Sequence, residues 1–331
     1  MIELIVNKQE YLLYLPGIMV STWIIKKYNY FSSVYTYVVN KIKSKKSLVV
    51  ILSAISGILP IPGRVSVSAG LLDTIAPKKA SSRAKFGIID YLATHHYYLW
   101  SPLEKTIIIP MAVLGFTYLE TLIHLLPLLI VSIGYIGYYL YYNIEERDVK
   151  ISITKNKDSN MTFTLMPLIM AIGLLICGIK GWIVFPILSI YYILYARDFN
   201  VLKYINWTLL TTVFVIIVFS NIFAAHYSNF KETLSGTNSL AVALFFGFAS
   251  SFLLGSSGKF IGITALLTQI FGAGYFVVFF ALEYAAYLIS PTHKCTSIGR
   301  AYFNTPFNEY YRVIGVWALL VVVCGMVFLI V

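Results

Sequence analysis

Apolar runs of roughly helix length fill most of this chain, and short polar segments separate them. A helix needs about 20 consecutive apolar residues to cross a lipid bilayer, and several runs approach or reach that length. The predicted spans are residues 121–142, 163–179, 182–196, 204–223 and 311–331, with a shorter run at 11–25. This pattern predicts an all-α polytopic membrane protein.

Two longer apolar runs contain a Ser-Pro step near their midpoints, at Ser101-Pro102 and at Ser290-Pro291. Proline lacks an N–H and its ring clashes with the preceding helical turn, so a continuous helix is not expected there. Each serine is predicted to cap a second half-helix whose first residue is the proline. A proline kink that neighbouring helices heal is the alternative to such a discontinuous helix. The two runs are residues 86–118 and 275–303.

Two other segments have arms that are too short to cross a bilayer. Residues 48–76 turn at Pro60–Gly63, and residues 240–270 turn at Gly255–Gly258. Each arm of the first segment has about 12 residues, whereas a span needs about 20. Both segments therefore predict re-entrant hairpins, which enter and leave the membrane on the same side.

The two halves of the chain resemble each other. Residues 98–105 and 287–294 are identical at five of eight positions, at an offset of 189, and the two hairpins align at an offset of 195. Each half thus has the order hairpin, broken helix, span. Five predicted crossings separate the hairpins, an odd number, so the second hairpin enters from the opposite face. Such an inverted repeat is typical of secondary transporters.

The predicted units follow from this repeat. They are residues 1–46, an N-terminal span with an interfacial amphipathic helix; 47–143, the first repeat; 144–162, a cytoplasmic linker; and 163–331, the second repeat.

Composition excludes a soluble domain, since the mean hydropathy is +0.79 and only 12% of the 331 residues are charged. The net charge of +11 comes from lysines and arginines that lie between the spans instead of forming one patch. It therefore indicates membrane topology and not nucleic-acid binding. The positive-inside rule places the mouth of the first hairpin and the linker in the cytoplasm, and the C-terminus outside.

Four basic residues fall at the breaks and hairpin tips, where a cation at membrane depth is costly unless it faces a cavity or a partner. They are Arg64, Lys105, Lys259 and Lys294. The adjacent half-helix N-termini favour negative charge, so this pattern predicts a site for a carboxylate or another oxyanion. The predicted substrate-binding residues are Gly63, Arg64, Ser101, Lys105, Ser256, Ser257, Lys259, Ser290, Thr292, His293 and Lys294. In the alternative interpretation, Asp73, Glu104 and Glu283 neutralise these cations and no substrate binds.

Glu283 shares a helical face with Tyr287 and Ser290, at i, i+4 and i+7, and this face points toward the second break. It is either a proton or sodium coupling group or an ion-pair partner of Lys259 or Lys294. The sequence has no nucleotide-binding loop, nucleophile elbow or HExxH motif, so no enzymatic activity is predicted. The three cysteines lack metal-ligand spacing, and no metal or other cofactor is expected beyond coupling H⁺ or Na⁺.

Three groups of residues carry a resemblance to a known family. They are Leu59–Gly63 with Ser68-Ala69, Gly255–Ser257 with Gly262, and Ser290–Cys295 with Tyr302-Phe303. These groups resemble the signatures of an uncharacterised archaeal and bacterial integral membrane family. That family is similar to the gluconate, lactate and citrate permeases and the arsenite antiporter of the ion-transporter superfamily. The resemblance covers residues 48–331.

The resemblance implies an elevator-type carrier, often dimeric, that moves small anions together with protons or sodium. This chain departs from the family pattern at Arg64, where a second glycine is usual, and at Lys294, where an apolar residue is usual. Its first half also lacks about two of the scaffold helices that the second half has.

Two functions are therefore expected from the sequence. The first is a secondary active transporter of a small organic acid or oxyanion, a homodimer in the bilayer of a prokaryotic cell membrane. The alternative is a transport-incompetent, transporter-like subunit that assembles with other membrane proteins in a hetero-complex. Neither function involves nucleic acid.

Overall fold

The structure is a computed structural model that describes residues 10–28, 37–58, 64–145, 161–205 and 239–329, with isolated positions at 207, 210, 211, 214 and 215. These residues form α-helices and short 3-10 helices, and no strand occurs among them. Helices are the expected form of apolar runs in lipid, because every backbone N–H and C=O finds its partner within the segment.

Thirteen α-helices are named here in chain order. They are α1 (Glu10–Lys27), α2 (Lys45–Ile58), α3 (Arg64–Ile75), α4 (Ala80–His95), α5 (Lys105–Leu114), α6 (Tyr118–Asn143), α7 (Met161–Ile176), α8 (Gly181–Ala196), α9 (Ser239–Leu254), α10 (Ser257–Phe271), α11 (Phe276–Ile289), α12 (Lys294–Phe303) and α13 (Phe307–Met326). The 3-10 helices are His96–Leu99, Val201–Tyr204, Ala273–Tyr275 and Val327–Leu329.

The helical hairpins pack against the broken helices. In the first half, α2 and α3 pack against each other and against α4, and in the second half α9 and α10 do the same against α11. The second arm of each hairpin also reaches the other half, since α3 packs against α12 and α10 packs against α5. The hairpins and the broken helices therefore form one interlocked body.

Helix α11 lies at the centre of this body. Its residues are buried on every face, with Phe276, Phe279 and Tyr284 all 0% exposed. A helix that is apolar all round is expected to be enclosed by others. Helix α13 packs along one side of it at close range, because a Cβ at Gly325 would lie 2.2 Å from the Cβ of Ala281.

Two helical segments are long and apolar enough to cross a membrane: Tyr118–Asn143, and Phe307–Leu329, which is α13 with its 3-10 extension. A third is added if α11, with the 3-10 turn before it, and α12 are counted as one bent span. Helix α6 exposes large apolar side chains, among them Ile123, Ile130 and Ile133. An apolar outer face is consistent with contact to lipid. The described residues are thus those of an α-helical protein with membrane-spanning candidates.

Helices α1 and α8 form a closely packed pair beside the first break. Gly181 lies against the ring of Tyr14, whose hydroxyl donates a hydrogen bond of 2.9 Å to the carbonyl of Pro102. At the other end of α1, the Lys27 ammonium lies 2.6 Å from the Asp198 carboxylate. The pair of α1 and α8 therefore contacts the first broken helix at its break, through Tyr14.

The prediction that each proline begins a half-helix is wrong. Helix α5 begins at Lys105 with Glu104 as its N-cap, and α12 begins at Lys294 with His293 as its N-cap. Five residues, 100–104, separate the 3-10 helix from α5 at the first break, and four residues, 290–293, separate α11 from α12 at the second. Each proline falls inside this turn, where its missing N–H costs no helical hydrogen bond. The prediction that the two serines are N-caps is therefore wrong as well.

Helix α4 begins at Ala80, before the predicted start of the first broken helix at residue 86, because its first turns are polar and basic and lie outside the apolar run. Several predictions concern residues outside the described part of the chain. They are the segment 1–9, the turn Pro60–Gly63, the linker residues 146–160 and most of the span 204–223.

Candidate functional site

The two helix breaks share one kind of hydrogen bond. In the first break the Ser101 hydroxyl accepts a 3.4 Å hydrogen bond from the N–H of Leu103, and in the second the Ser290 hydroxyl accepts a 3.3 Å bond from the N–H of Thr292. Such a bond to the N–H two residues ahead stabilises a turn. The serines therefore stabilise the turn at each break and do not cap the helix that follows.

The second break packs against the end of the first arm of its hairpin. The Ser290 hydroxyl donates to the carbonyl of Phe252 at 2.5 Å, and the Thr292 hydroxyl donates to the carbonyl of Leu253 at 3.0 Å. These carbonyls lie in the last turn of α9, where the helix itself supplies no partner. The two hydroxyls therefore satisfy backbone acceptors that would otherwise need water.

A glycine lets this hairpin tip approach the break. Gly255 has a φ of +53°, and a Cβ there would lie 2.4 Å from the Thr292 hydroxyl oxygen and 2.8 Å from the backbone nitrogen of His293. No side chain fits into that space, and a positive φ is itself unfavourable for residues other than glycine. The tip of the second hairpin is therefore in direct contact with the second break.

Lys105 reaches the same hairpin tip from the other half of the protein. A Cβ at Gly258 would lie 3.3 Å from the Lys105 Cδ and 3.7 Å from its Nζ, so the side chain lies along the tip. Lys105 is the first residue of α5, and Gly258 is in the first turn of α10. The ammonium and two helix N-termini make this region electropositive and suited to an anion.

The remaining predicted binding residues are distributed as follows. Ser256 and Ser257 are half-buried at the hairpin tip, Lys259 and Lys294 are exposed, and Ser101 and Glu104 are buried in the first break. Arg64 begins α3, but its side chain and Gly63 lie outside the described residues. The structure thus brings Lys105, Ser256, Ser257, Ser290 and Thr292 to one hairpin tip.

His293 does not face that tip. Its ring is 2% exposed and packs against the ring of Tyr287, with 4.0 Å between centroids. Its Nδ1 lies 3.0 Å from the hydroxyl of Tyr91 on α4, and the ring of His95 is also adjacent, at 5.1 Å. His293 therefore belongs to an internal aromatic cluster between the two broken helices.

Asp73 lies away from the breaks, in the outer part of the first hairpin, where its carboxylate is 2.5 Å from the guanidinium of Arg83. This ion pair is partly exposed, so it ties α3 to α4. Its contribution to stability is small for a pair in contact with solvent. Asp73 therefore contributes a contact between α3 and α4.

Glu283 is fully buried between α11 and the second hairpin. Its carboxylate accepts a 3.3 Å hydrogen bond from the Ser251 hydroxyl of α9, and Thr264 of α10 lies close to it. Gly247 leaves room for the carboxylate, since a Cβ there would lie 2.8 Å from its Oε1. Both arms of the hairpin therefore contribute to the surroundings of this carboxylate.

Asp90 occupies a comparable environment in the first half, although it is not among the residues predicted from the sequence. It is 1% exposed on α4 and accepts a hydrogen bond from the Ser68 hydroxyl of α3, and Ser53 of α2 lies close to it. One signal was available: Asp90 is an acidic residue inside the apolar run 86–99. An acid within such a run is a functional candidate by itself, because its burial is costly.

Comparison with known proteins places the chain in a family. No curated protein matches it. A family model described as "Protein of unknown function (DUF401)" matches residues 11–331, which is nearly the whole chain. The protein therefore belongs to the DUF401 family.

Proposed function

We propose that this protein is a secondary active transporter of a small anion, an organic acid or an oxyanion, coupled to protons or sodium. The observation that carries the proposal is the position of Lys105, whose side chain lies along Gly258 at the tip of the second hairpin. Half-helix N-termini that converge near the middle of the membrane are the usual anion-binding device of secondary transporters.

The equivalent lengths and ends of the half-helices support an internal repeat. Helices α5 and α12 both have ten residues and begin 189 positions apart, at Lys105 and Lys294. Both end in a residue with left-handed backbone conformation, Gly115 or Asn304, again 189 positions apart. A left-handed residue is a common way to terminate a helix. Equivalent helices that begin and end alike are expected of a duplicated unit.

The packing supports a two-fold relationship between the halves. Helix α3 of the first half packs against α12 of the second, and α10 of the second packs against α5 of the first. A two-fold axis produces reciprocal contacts of this kind. An inverted repeat with such an axis in the membrane plane permits alternating access, because each half can adopt the conformation of the other.

The buried carboxylates supply candidates for coupling. Asp90 and Glu283 each lie on the first part of a broken helix and each meets hydroxyls from both arms of a hairpin. A carboxylate inside a membrane protein is costly and is typical of proton and sodium pathways. Binding of H⁺ or Na⁺ at such a carboxylate neutralises it and favours the conformation in which the hairpin closes on it.

Uptake into proteoliposomes tests this function. Purified protein is reconstituted, and radiolabelled lactate, citrate, gluconate, sulfate and phosphate are offered with and without an inward H⁺ or Na⁺ gradient. We expect saturable, gradient-dependent accumulation of at least one anion. In Lys105→Met the initial rate is expected to fall at least about 10-fold, since one buried charge contact is worth about 1.4 kcal/mol or more.

Lys78→Met is the matched control, because Lys78 is an exposed lysine just before α4, at the end of that helix opposite to the break. Its uptake is expected to equal that of the unmodified protein. Absence of any saturable, gradient-dependent flux across the anion panel contradicts the proposal. Copurification of a stoichiometric partner chain in that case favours a membrane subunit.

A further inference from the structure

Three side chains with metal-binding atoms meet between the two broken helices. A ring nitrogen of His95, a ring nitrogen of His293 and the Sγ of Cys295 all lie within 4.8 Å of one another. His95 is the last residue of α4, His293 ends the second break and Cys295 is in the first turn of α12. The two halves of the protein therefore both contribute to this cluster.

Tyr91 fixes the protonation of the His95 ring. The Nδ1 of His95 lies 2.7 Å from the backbone carbonyl oxygen of Tyr91, which accepts hydrogen bonds and cannot donate one. Nδ1 therefore carries the ring proton of neutral His95. The lone pair of the ring is then at Nε2.

The same tyrosine fixes the His293 ring through its hydroxyl. The Tyr91 hydroxyl donates its only proton to the carbonyl of Leu288 at 2.8 Å, so its oxygen accepts from the Nδ1 of His293 at 3.0 Å. The lone pair of His293 is also at Nε2. A metal-binding histidine usually donates its other ring N–H to a carbonyl or a similar acceptor, and both histidines satisfy that requirement here.

Aromatic rings hold the two histidines in place. The ring of Tyr91 stacks on His95 with 3.8 Å between centroids, and the ring of Tyr287 packs on His293 at 4.0 Å. Both histidines are buried, whereas Cys295 is partly exposed. Because the two rings are already held in place, they lose little conformational entropy when an ion binds. The partly exposed thiol provides a path of entry.

We propose that His95, His293 and Cys295 bind Zn²⁺ or a transition-metal ion with the same ligand preference. Two imidazoles and one thiolate are a ligand set typical of such ions, with a fourth position left for water. Metal–ligand bonds of about 2.0–2.3 Å place the ligand atoms about 3.5 Å apart, so the side chains must close by about 1 Å.

Metal binding releases one proton from the cluster. The S–H bond of Cys295 breaks, its proton goes to solvent, and the thiolate and the two imidazole lone pairs form bonds to the metal. Since His95 belongs to the first half and the other two ligands belong to the second, the bound ion links α4 to α12. This inference does not depend on the transport proposal.

Cobalt titration of the purified full-length protein tests the site, because Co²⁺ reports its ligands by absorption and takes tetrahedral sites of Zn²⁺. After treatment with a chelator, the protein is expected to bind one equivalent of Co²⁺ with a thiolate-to-cobalt band, and Zn²⁺ is expected to displace it. Cys295→Ser is expected to lose the band, and His95→Gln or His293→Gln to weaken Co²⁺ binding at least about 10-fold.

Cys324→Ser and Cys177→Ser are the matched controls, because these thiols are outside the cluster. Both are expected to keep the band and the affinity. Failure of the unmodified protein to bind Co²⁺, or a thiolate band that persists in Cys295→Ser, overturns the proposal.

A second measurement covers the case in which a substitution at the cluster prevents folding. In a protein that carries both control substitutions, Cys295 is the remaining thiol, and its rate of reaction with N-ethylmaleimide is measured. Zn²⁺ is expected to slow this reaction at least about 10-fold, since a metal-bound thiolate is protected. An unchanged rate at saturating Zn²⁺ overturns the proposal.

Discussion

The hydroxyls of Tyr98 and Tyr287 lie 2.7 Å apart and form a buried hydrogen bond between the two broken helices. The two residues are 189 positions apart, the same offset that separates the Ser-Pro steps. Equivalent residues of two related units meet each other only where they lie on the axis between the units. If the two halves form the repeat proposed above, this pair lies on the axis that relates them.

Removal of one of these hydroxyls is expected to weaken the contact between the halves. Tyr98→Phe or Tyr287→Phe leaves the partner hydroxyl without this bond in a buried position, at a cost of about 1–2 kcal/mol in the free energy of unfolding. The double variant is expected to lose less than the sum, with a coupling of about 0.5–1.5 kcal/mol. Unfolding titrations in mixed micelles give the three values. Strict additivity of the two substitutions contradicts the assignment of a direct bond.

Gly255→Ala is expected to disrupt the contact between the second hairpin and the second break. The added methyl group collides with the Thr292 hydroxyl and the backbone of His293, at a cost of about 1–3 kcal/mol beyond that of a positive φ. Gly178→Ala is the matched control, because Gly178 also has a positive φ, +84°, but nothing lies within 4 Å of its Cβ position. Its cost is expected to be about 1 kcal/mol. Thermal unfolding of both variants measures the difference, and equal destabilisation contradicts the packing at the break.

Gly325→Ala is expected to separate α13 from α11. The new Cβ lies 2.2 Å from the Cβ of Ala281, so the helices must move apart, at a cost of about 1–3 kcal/mol. Gly315→Ala on the same helix has open space around the added methyl group and is expected to stabilise the protein by about 0.5–1 kcal/mol through helix propensity. The free energy of unfolding is therefore expected to fall in Gly325→Ala and to rise in Gly315→Ala. A stabilising Gly325→Ala is incompatible with the close approach of α11 and α13.

Glu283→Gln tests the coupling role that the transport proposal assigns to this residue. Glutamine keeps the shape of the side chain but cannot bind or release a proton, so gradient-driven accumulation is expected to fall at least about 10-fold while exchange of internal for external anion persists. Glu309→Gln, at a half-buried position in the first turn of α13, is expected to leave both unchanged. Accumulation and exchange are compared in proteoliposomes. Accumulation by Glu283→Gln at the unmodified rate removes Glu283 from the coupling step.

Asp90→Asn is expected to have a similar effect if the first half contributes to coupling, because Asp90 also lies between the two arms of a hairpin. The measurement is the dependence of accumulation on the H⁺ gradient and on the Na⁺ gradient, taken separately. Loss of dependence on one gradient alone identifies the ion that binds at Asp90. Retention of both dependences assigns this carboxylate a structural role.

The local features of the fold could be predicted well from the sequence. Helix α11 ends directly before Ser290-Pro291, as expected of a residue that has no N–H, and the second hairpin turns near Gly255. At the first break, α4 already ends at His95 and a 3-10 helix to Leu99 precedes Ser101-Pro102. The role of the serines could not be predicted. A serine before a proline is compatible both with an N-cap and with a turn, and the choice depends on whether the following residues have room to be helical.

Some residues of the candidate site could be predicted from the sequence, and others could not. Lys105, Ser290 and Thr292 could be selected from the sequence because a polar residue at a helix break is conspicuous in an apolar chain. Tyr91 and Asp90 could not be related to them, since their partners lie in a distant element or in a separate hairpin. His293 was selected for the anion site, but the structure turns its ring toward Tyr287 and His95.

The sequence alone determined the helical class and the positions of the breaks, because hydrophobic period and proline chemistry are local properties of a chain. Only the tertiary structure decided which equivalent residues touch, such as Tyr98 and Tyr287, and which side chains from the two halves come together, such as His95 and Cys295. Those contacts join residues that are 189 and 200 positions apart. They depend on how the helices pack, which no local pattern specifies.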